Sequence, residues 1–171
     1  MLIKVCLAGA TGWAGSELAR SIARTADLAL LAAVSRKHAG RGLGEVLGEP
    51  QLACPVYASA AEALANPCDV FVEYTRPDSA KANILAALER GAHVVVGTSG
   101  LVDADFAEID VVARRRHRGG LACGNFALTV VLLQKFAEAA ARLIPQWEII
   151  DYAHEDKIDA PSGTARELAT R

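Results

Sequence analysis

Nowhere in the 171 residues does an apolar run approach the roughly 18 to 20 residues that a membrane span needs, although hydrophobic types make up 52% of the chain. No membrane span is expected, and the chain should be soluble. The N-terminus lacks the basic region, long apolar core and small-residue cleavage site of a signal peptide, because Leu2, Ile3 and Val5 enter an apolar strand directly. A cytoplasmic location is expected. Charge of one sign is also missing: 18 Lys+Arg against 20 Asp+Glu leave a net charge of -2, too little to gather nucleic acid. A small-molecule partner is therefore the default. The four cysteines, Cys6, Cys54, Cys68 and Cys123, form no CxxC pair and have no histidine at ligand spacing, so free, mostly buried thiols and no metal are expected.

What is present is alternation. Ile3, Val5 and Leu7 interleave with Lys4, Cys6 and Ala8, which predicts a strand running straight into a glycine-rich turn. Leu18 and Ile22, four apart among Glu17, Arg20 and Arg24, predict a short amphipathic helix after that turn. Further strands are expected over residues 28–35, 55–59, 69–75, 93–96, 121–123 and 147–154. Helices are expected over residues 60–65, 77–90, 103–117 and 126–143, and from Ala165 onward. Pro77 suits a first helical turn, and the cationic run Arg114, Arg115 and Arg116 suits a solvated helix end rather than a nucleic-acid patch. Residues 36–50 hold four glycines and little periodicity, and are expected to be a loop of moderate mobility, a candidate flap.

Strands alternating with helices predict an α/β fold, a Rossmann-type doubly wound parallel sheet with helices on both faces. Ligands of such sheets lie beyond the C-terminal strand ends, where the polar clusters of this chain fall. Gly9, Gly12 and Gly15 place GxxGxxG directly between a strand and a helix, as close backbone approach to a pyrophosphate demands. About 20 residues on, an acid would bind the ribose 2′-OH of NAD, but the second strand ends in Ser35, Arg36 and Lys37. Two cations and no carboxylate favour NADPH, with NADH possible. Near the other end, Lys157 precedes Ser162, Gly163 and Thr164 at a helix start, where amides, hydroxyls and an ammonium could converge on a carboxylate. An ordinary helix start reads equally well, since Thr164 and Glu167 have capping-box spacing.

GATGWAG over residues 9–15, Glu73-Tyr74-Thr75-Arg76-Pro77, Gly97-Thr98-Ser99-Gly100, Gly124-Asn125-Phe126 and the KIDAPSGTA run over residues 157–165 occur in this order. In these the chain resembles the dihydrodipicolinate reductase family. The resemblance implies reduction of a cyclic dicarboxylic imine, 4-hydroxy-tetrahydrodipicolinate, to tetrahydrodipicolinate in lysine and diaminopimelate biosynthesis. It implies cofactor contacts from Gly9, Ala10, Thr11, Gly12, Trp13 and Ala14, from Arg36 on the 2′-phosphate, and from Gly97, Thr98, Ser99, Cys123, Gly124, Asn125 and Phe126. Lys157 would be catalytic. His154 would bind substrate and could serve in catalysis, and Ser162, Gly163 and Thr164 would bind a substrate carboxylate. Domains are expected over residues 1–124, for the dinucleotide, and 125–171, the start of a smaller, incomplete α+β substrate domain.

Two departures bear on activity. The family usually has adjacent histidines before the lysine, the first a proton donor, and here that position is Ala153. Members also continue past the position of Arg171 to complete the substrate domain and a homotetramer, so a fragment or an abbreviated homologue is expected. Two other enzyme classes fit less well. A short-chain reductase needs YxxxK, whereas Tyr152 is followed by Asp156. A semialdehyde dehydrogenase needs a base beside Cys123, and no histidine is near. A silent NADPH-binding homologue and another NADP-dependent imine or carbonyl reductase remain as alternatives.

Overall fold

The computed structural model describes residues 2–152 and 160–171. The chain divides into two compact units, Met1–Leu121 and Ala122–Arg171.

The first unit is built on a six-stranded sheet. Its strands are β1 (Ile3–Ala8), β2 (Leu28–Val34), β3 (Val56–Tyr57), β4 (Val70–Glu73), β5 (His93–Val96) and β6 (Gly120–Ala122), in the spatial order β3-β2-β1-β4-β5-β6. The pairings β1/β2, β1/β4, β2/β3 and β4/β5 are all parallel. The order reverses at β1, so the turn after β1 opens at the topological switch point where a ligand crevice forms.

Alternation along the strands makes two cores. Val5, Leu7, Ala33, Val56 and Val72 pack on one face with Ala19 and Ile22 of α1 (Trp13–Arg24). Cys6, Ala8, Val34, Phe71, Val94 and Val96 pack on the other with α3 (Ala60–Ala63), α4 (Pro77–Glu89) and α5 (Asp103–Arg116). Both faces are covered, as a parallel sheet requires.

Pro77 does open α4. The cationic end of α5 is tied down, with Arg115 and Arg116 paired to Glu89 of α4 and Arg114 to Asp110 at 2.7 Å.

The expected flap is a packed segment instead. Residues 36–38 form a single 3-10 turn, and α2 (Leu43–Leu47) ends at Gly48 in the left-handed region, φ 68°. Leu43 and Leu52 are buried in the core against α1, which holds the segment to the sheet.

The second unit contains α6 (Leu128–Ala141) and α7 (Gly163–Thr170). The strand expected over residues 147–154 is not formed over 147–152, while Ala153 and His154 lie outside the described residues. Apolar, β-branched composition alone does not make a strand, because a strand exists by pairing with a neighbour.

Candidate functional site

At the end of β1 the chain must turn within a few residues and start α1. Gly9 has φ 82°, where a side chain is strained, and a Cβ there would lie 2.2 Å from the Tyr74 carbonyl oxygen. A Cβ on Gly15 would lie 2.1 Å from the Gly9 carbonyl oxygen, so helix and turn are in backbone contact. The Gly12 amide donates to that same oxygen at 3.0 Å, closing the turn. Gly12 is the N-cap of α1 and brings no side chain to it, which leaves the first amides of a twelve-residue helix facing the turn. Free helix amides of this kind can hold an anion.

The end of β2 joins this turn through the Thr11 and Ser35 hydroxyls, 2.8 Å apart. Arg36 and Lys37 follow, both exposed, on the 3-10 turn. Trp13 stands 93% exposed at the first position of α1.

The ends of β4 and β5 form a second polar cluster. Thr98 directs its hydroxyl to Glu73, and the Tyr74 ring covers Gly97 so closely that a Cβ on the glycine would overlap it. Glu73 and Asn83 were not singled out as site residues by the sequence reading. The signal was available: Glu73 is the lone acid ending the apolar strand Val70–Glu73, and it is fully buried.

The second unit gathers the other group. The Asn125 amide donates to the Thr164 hydroxyl at 3.0 Å, that hydroxyl donates to the Gly124 carbonyl at 3.1 Å, and the Gly124 amide donates to Glu167 at 2.9 Å. A Cβ on Gly124 would sit 2.5 Å from the Gly163 carbonyl, so residues 124–125 lie against the start of α7.

The cap of α7 is Ser162, whose hydroxyl accepts from the Ala165 amide at 3.1 Å, and the helix starts at Gly163. This corrects two expectations: the helix does not wait for Ala165, and Thr164 is not the cap of a box closed by Glu167. The Thr164 hydroxyl, expected to turn to a ligand, has its proton committed to Gly124. The Gly163 and Thr164 amides occupy the first helical positions, which have no partner within a helix.

Cys123 is half-buried and Phe126 is 42% exposed. His154 and Lys157 lie outside the described residues. Among the described residues no group of three His, Cys, Asp or Glu could hold a metal.

Residues 3–126 match the model of the dihydrodipicolinate reductase N-terminus, and residues 129–171 match that of its C-terminus. The chain belongs to the dihydrodipicolinate reductase family. It is 36% identical over 164 residues to a 4-hydroxy-tetrahydrodipicolinate reductase of Bacillus cereus, covering 95% of this chain and 62% of that relative. The reductase-family chain is thus shorter than such relatives. Among solved structures, a dipicolinate-bound dihydrodipicolinate reductase from Paenisporosarcina sp. TG-14 matches with a TM-score of 0.76 and 29% identity, over 99% of this chain and 65% of that one. A biliverdin reductase from Synechocystis sp. PCC 6803 matches with a TM-score of 0.63 at 19% identity, over 88% of this chain and 45% of that one, and shares the fold alone. No helix among the described residues is long and apolar enough to cross a membrane.

Proposed function

We propose that this family member binds NADPH, and NADH less tightly, and transfers hydride to a cyclic dicarboxylic imine, 4-hydroxy-tetrahydrodipicolinate. The observation that carries the reading is the backbone interlock of Gly9, Gly12 and Gly15, which presents uncapped helix amides at the switch point of the sheet. The residues present fit a dinucleotide. Gly9 through Ala14 hold the pyrophosphate, and Arg36 takes the 2′-phosphate. The family resemblance assigns nicotinamide contacts to Gly97, Thr98 and Ser99, and likewise to Cys123, Gly124, Asn125 and Phe126.

When bound, the reduced nicotinamide supplies the hydride. The chain's own residues orient the imine and manage charge. Gly163 and Thr164 offer backbone amides to a substrate carboxylate at the start of α7, with Ser162 holding that helix start in place. Lys157 is the catalytic cation, which stabilises the negative charge left when hydride arrives and holds a proton for it. His154 binds substrate and is the nearest histidine to the position occupied by Ala153.

The division at residues 124 and 125 separates a dinucleotide domain from the first part of a substrate domain. Whole members of this kind form homotetramers by the family resemblance, and the setting is cytoplasmic lysine and diaminopimelate biosynthesis.

Ala153 favours a second reading, a cofactor-binding homologue with weak or no turnover, because loss of a general acid costs on the order of 10² to 10⁴ in rate. The test follows absorbance at 340 nm with NADPH and the imine formed in situ from aspartate semialdehyde and pyruvate, for this chain and its Ala153→His variant. Substrate-dependent oxidation supports the reductase, and a gain in the variant identifies the missing acid. NADPH binding without turnover in either protein would leave the silent homologue.

A further inference from the structure

Glu73 is the one fully buried charged side chain among the described residues. Burial of a carboxylate is costly unless its lone pairs are met, and an apolar residue would end β4 at lower cost. What the acid adds is directed acceptors. One oxygen, Oε1, accepts from the Thr75 amide at 2.6 Å, from the Thr75 hydroxyl, and from the Thr98 hydroxyl at 3.3 Å. The other, Oε2, accepts from the Asn83 side-chain amide at 2.9 Å. The Glu73 carbonyl accepts from the Gly97 amide at 2.9 Å and lies 3.3 Å from the Thr98 hydroxyl, whose proton it shares with Oε1. A single residue therefore joins the loop after β4, the helix α4 and the loop after β5, all at the sheet edge where ligands of parallel sheets sit.

We propose that Glu73 is a positioning residue for the nicotinamide end of the dinucleotide, holding the loop of residues 97–100 in its binding shape through the Thr98 hydroxyl. This rests on the cofactor reading above. Every described donor to the carboxylate is neutral, so the bonds act by geometry rather than by ion pairing. The Thr98 hydroxyl gives its one proton inward and keeps its acceptor capacity for the ligand. Glu73 lies at the opposite side of β1 from Ser35 and Arg36, in a strand order that runs β2-β1-β4. The adenine-ribose end and the nicotinamide end are thus served by different loops.

The test compares two ligands, NADPH and 2′-phospho-ADP-ribose, which lacks nicotinamide, by fluorescence or calorimetric titration. In Glu73→Gln an amide N–H₂ replaces an acceptor opposite existing donors, and a lost acceptor of this kind is expected to weaken NADPH about tenfold. Affinity for 2′-phospho-ADP-ribose should stay within about twofold. Thr98→Val should show the same selective loss, and the double variant little more than either, since residues acting through one bond are not additive. Equal weakening of both ligands would overturn the proposal in favour of a general folding role, as would unchanged NADPH affinity in either variant. If Glu73→Gln does not fold, Asn83→Leu, which removes the donor to Oε2 and alters no residue assigned to the cofactor, should give the same selective loss of NADPH, and unchanged NADPH affinity there would overturn the proposal. A parent chain that binds neither ligand would instead refute the cofactor reading.

Discussion

Phe71 and Phe136 have the same side chain in opposite surroundings. The first is fully buried beneath α4 and α5 in the sheet unit, and the second is 69% exposed on α6. The contrast holds across the chain. Every buried apolar residue described lies at or before Ala113, whereas Leu128, Leu133, Leu143, Trp147 and Ile150 are all more than half exposed. The sheet unit encloses its own core, because alternating strands and covering helices meet within it. The second unit is held by polar contacts of Gly124, Asn125, Ser162, Thr164 and Glu167. Stability in the first therefore resides in packing and the shape of one turn. In the second, directed hydrogen bonds accompany apolar residues that are only partly buried, Val130, Val131 and Leu168 among them.

Gly15→Val should break the first unit most severely. Its side chain would meet the Gly9 backbone, which cannot move without losing its contact with Tyr74. A loss of about 3 kcal/mol or more is expected by urea unfolding, together with loss of dinucleotide binding. A milder effect on both would mean that the turn is looser than the interlock implies.

The paired truncations Phe71→Ala and Phe136→Ala test the contrast directly. The first should cost about 3 to 5 kcal/mol and the second within about 0.5 kcal/mol. Similar costs would show that α6 is covered in solution.

Thiol reactivity should divide in the same way. Burial pushes the Cys54 thiol up to about 11, and Cys6 is raised by its hydrogen bond to Cys68 and by burial, which keeps both as unreactive thiols. With an aromatic disulfide reagent at neutral pH, the half-buried Cys123 should react first, and Cys6 and Cys54 only on unfolding. Early labelling of Cys6 would contradict a closed sheet.

The smallest effect concerns Glu167. Its hydrogen bond with Arg171, and secondarily the Gly124 amide, holds its carboxyl below the usual carboxylate range. A depressed value means that the stabilisation is present above the unfolded pKa, about 4.3, and is lost as pH falls through the folded value. The Gly124 amide resonance should titrate below pH 4.3, and should lose that titration in Glu167→Gln. Titration at or above that value would remove the bond from the account.

Much of the sheet unit was legible because its signals are local. Period-two alternation marked Ile3–Ala8, and Pro77 and Gly91 bracketed α4. The glycine spacing located the turn, and the structure adds why those positions carry no side chain. What escaped depends on partners distant in sequence. Leu43–Leu47 looked like part of a flap because glycines surround it, yet Leu43 is anchored by the core. Trp147 to Tyr152 is rich in the β-branched and aromatic types of a strand but has no paired neighbour among the described residues. The capping spacing of Thr164 and Glu167 was real, but Ser162 offered a better-placed oxygen and Glu167 turned to Gly124. Glu73 stood in the sequence as the first residue of one resemblance motif and the acid of an apolar strand, and its contacts came from two loops and a helix, at Thr75, Thr98 and Asn83.

The most direct test of a dinucleotide domain at the switch point is a titration of this chain with NADPH and with NADH, following nicotinamide fluorescence, beside its Arg36→Ala variant. Saturable binding is predicted for both cofactors, with NADPH tighter by about tenfold and the preference abolished in the variant, since an arginine here accommodates the 2′-phosphate. Absence of saturable binding for either cofactor by a folded chain would contradict the account.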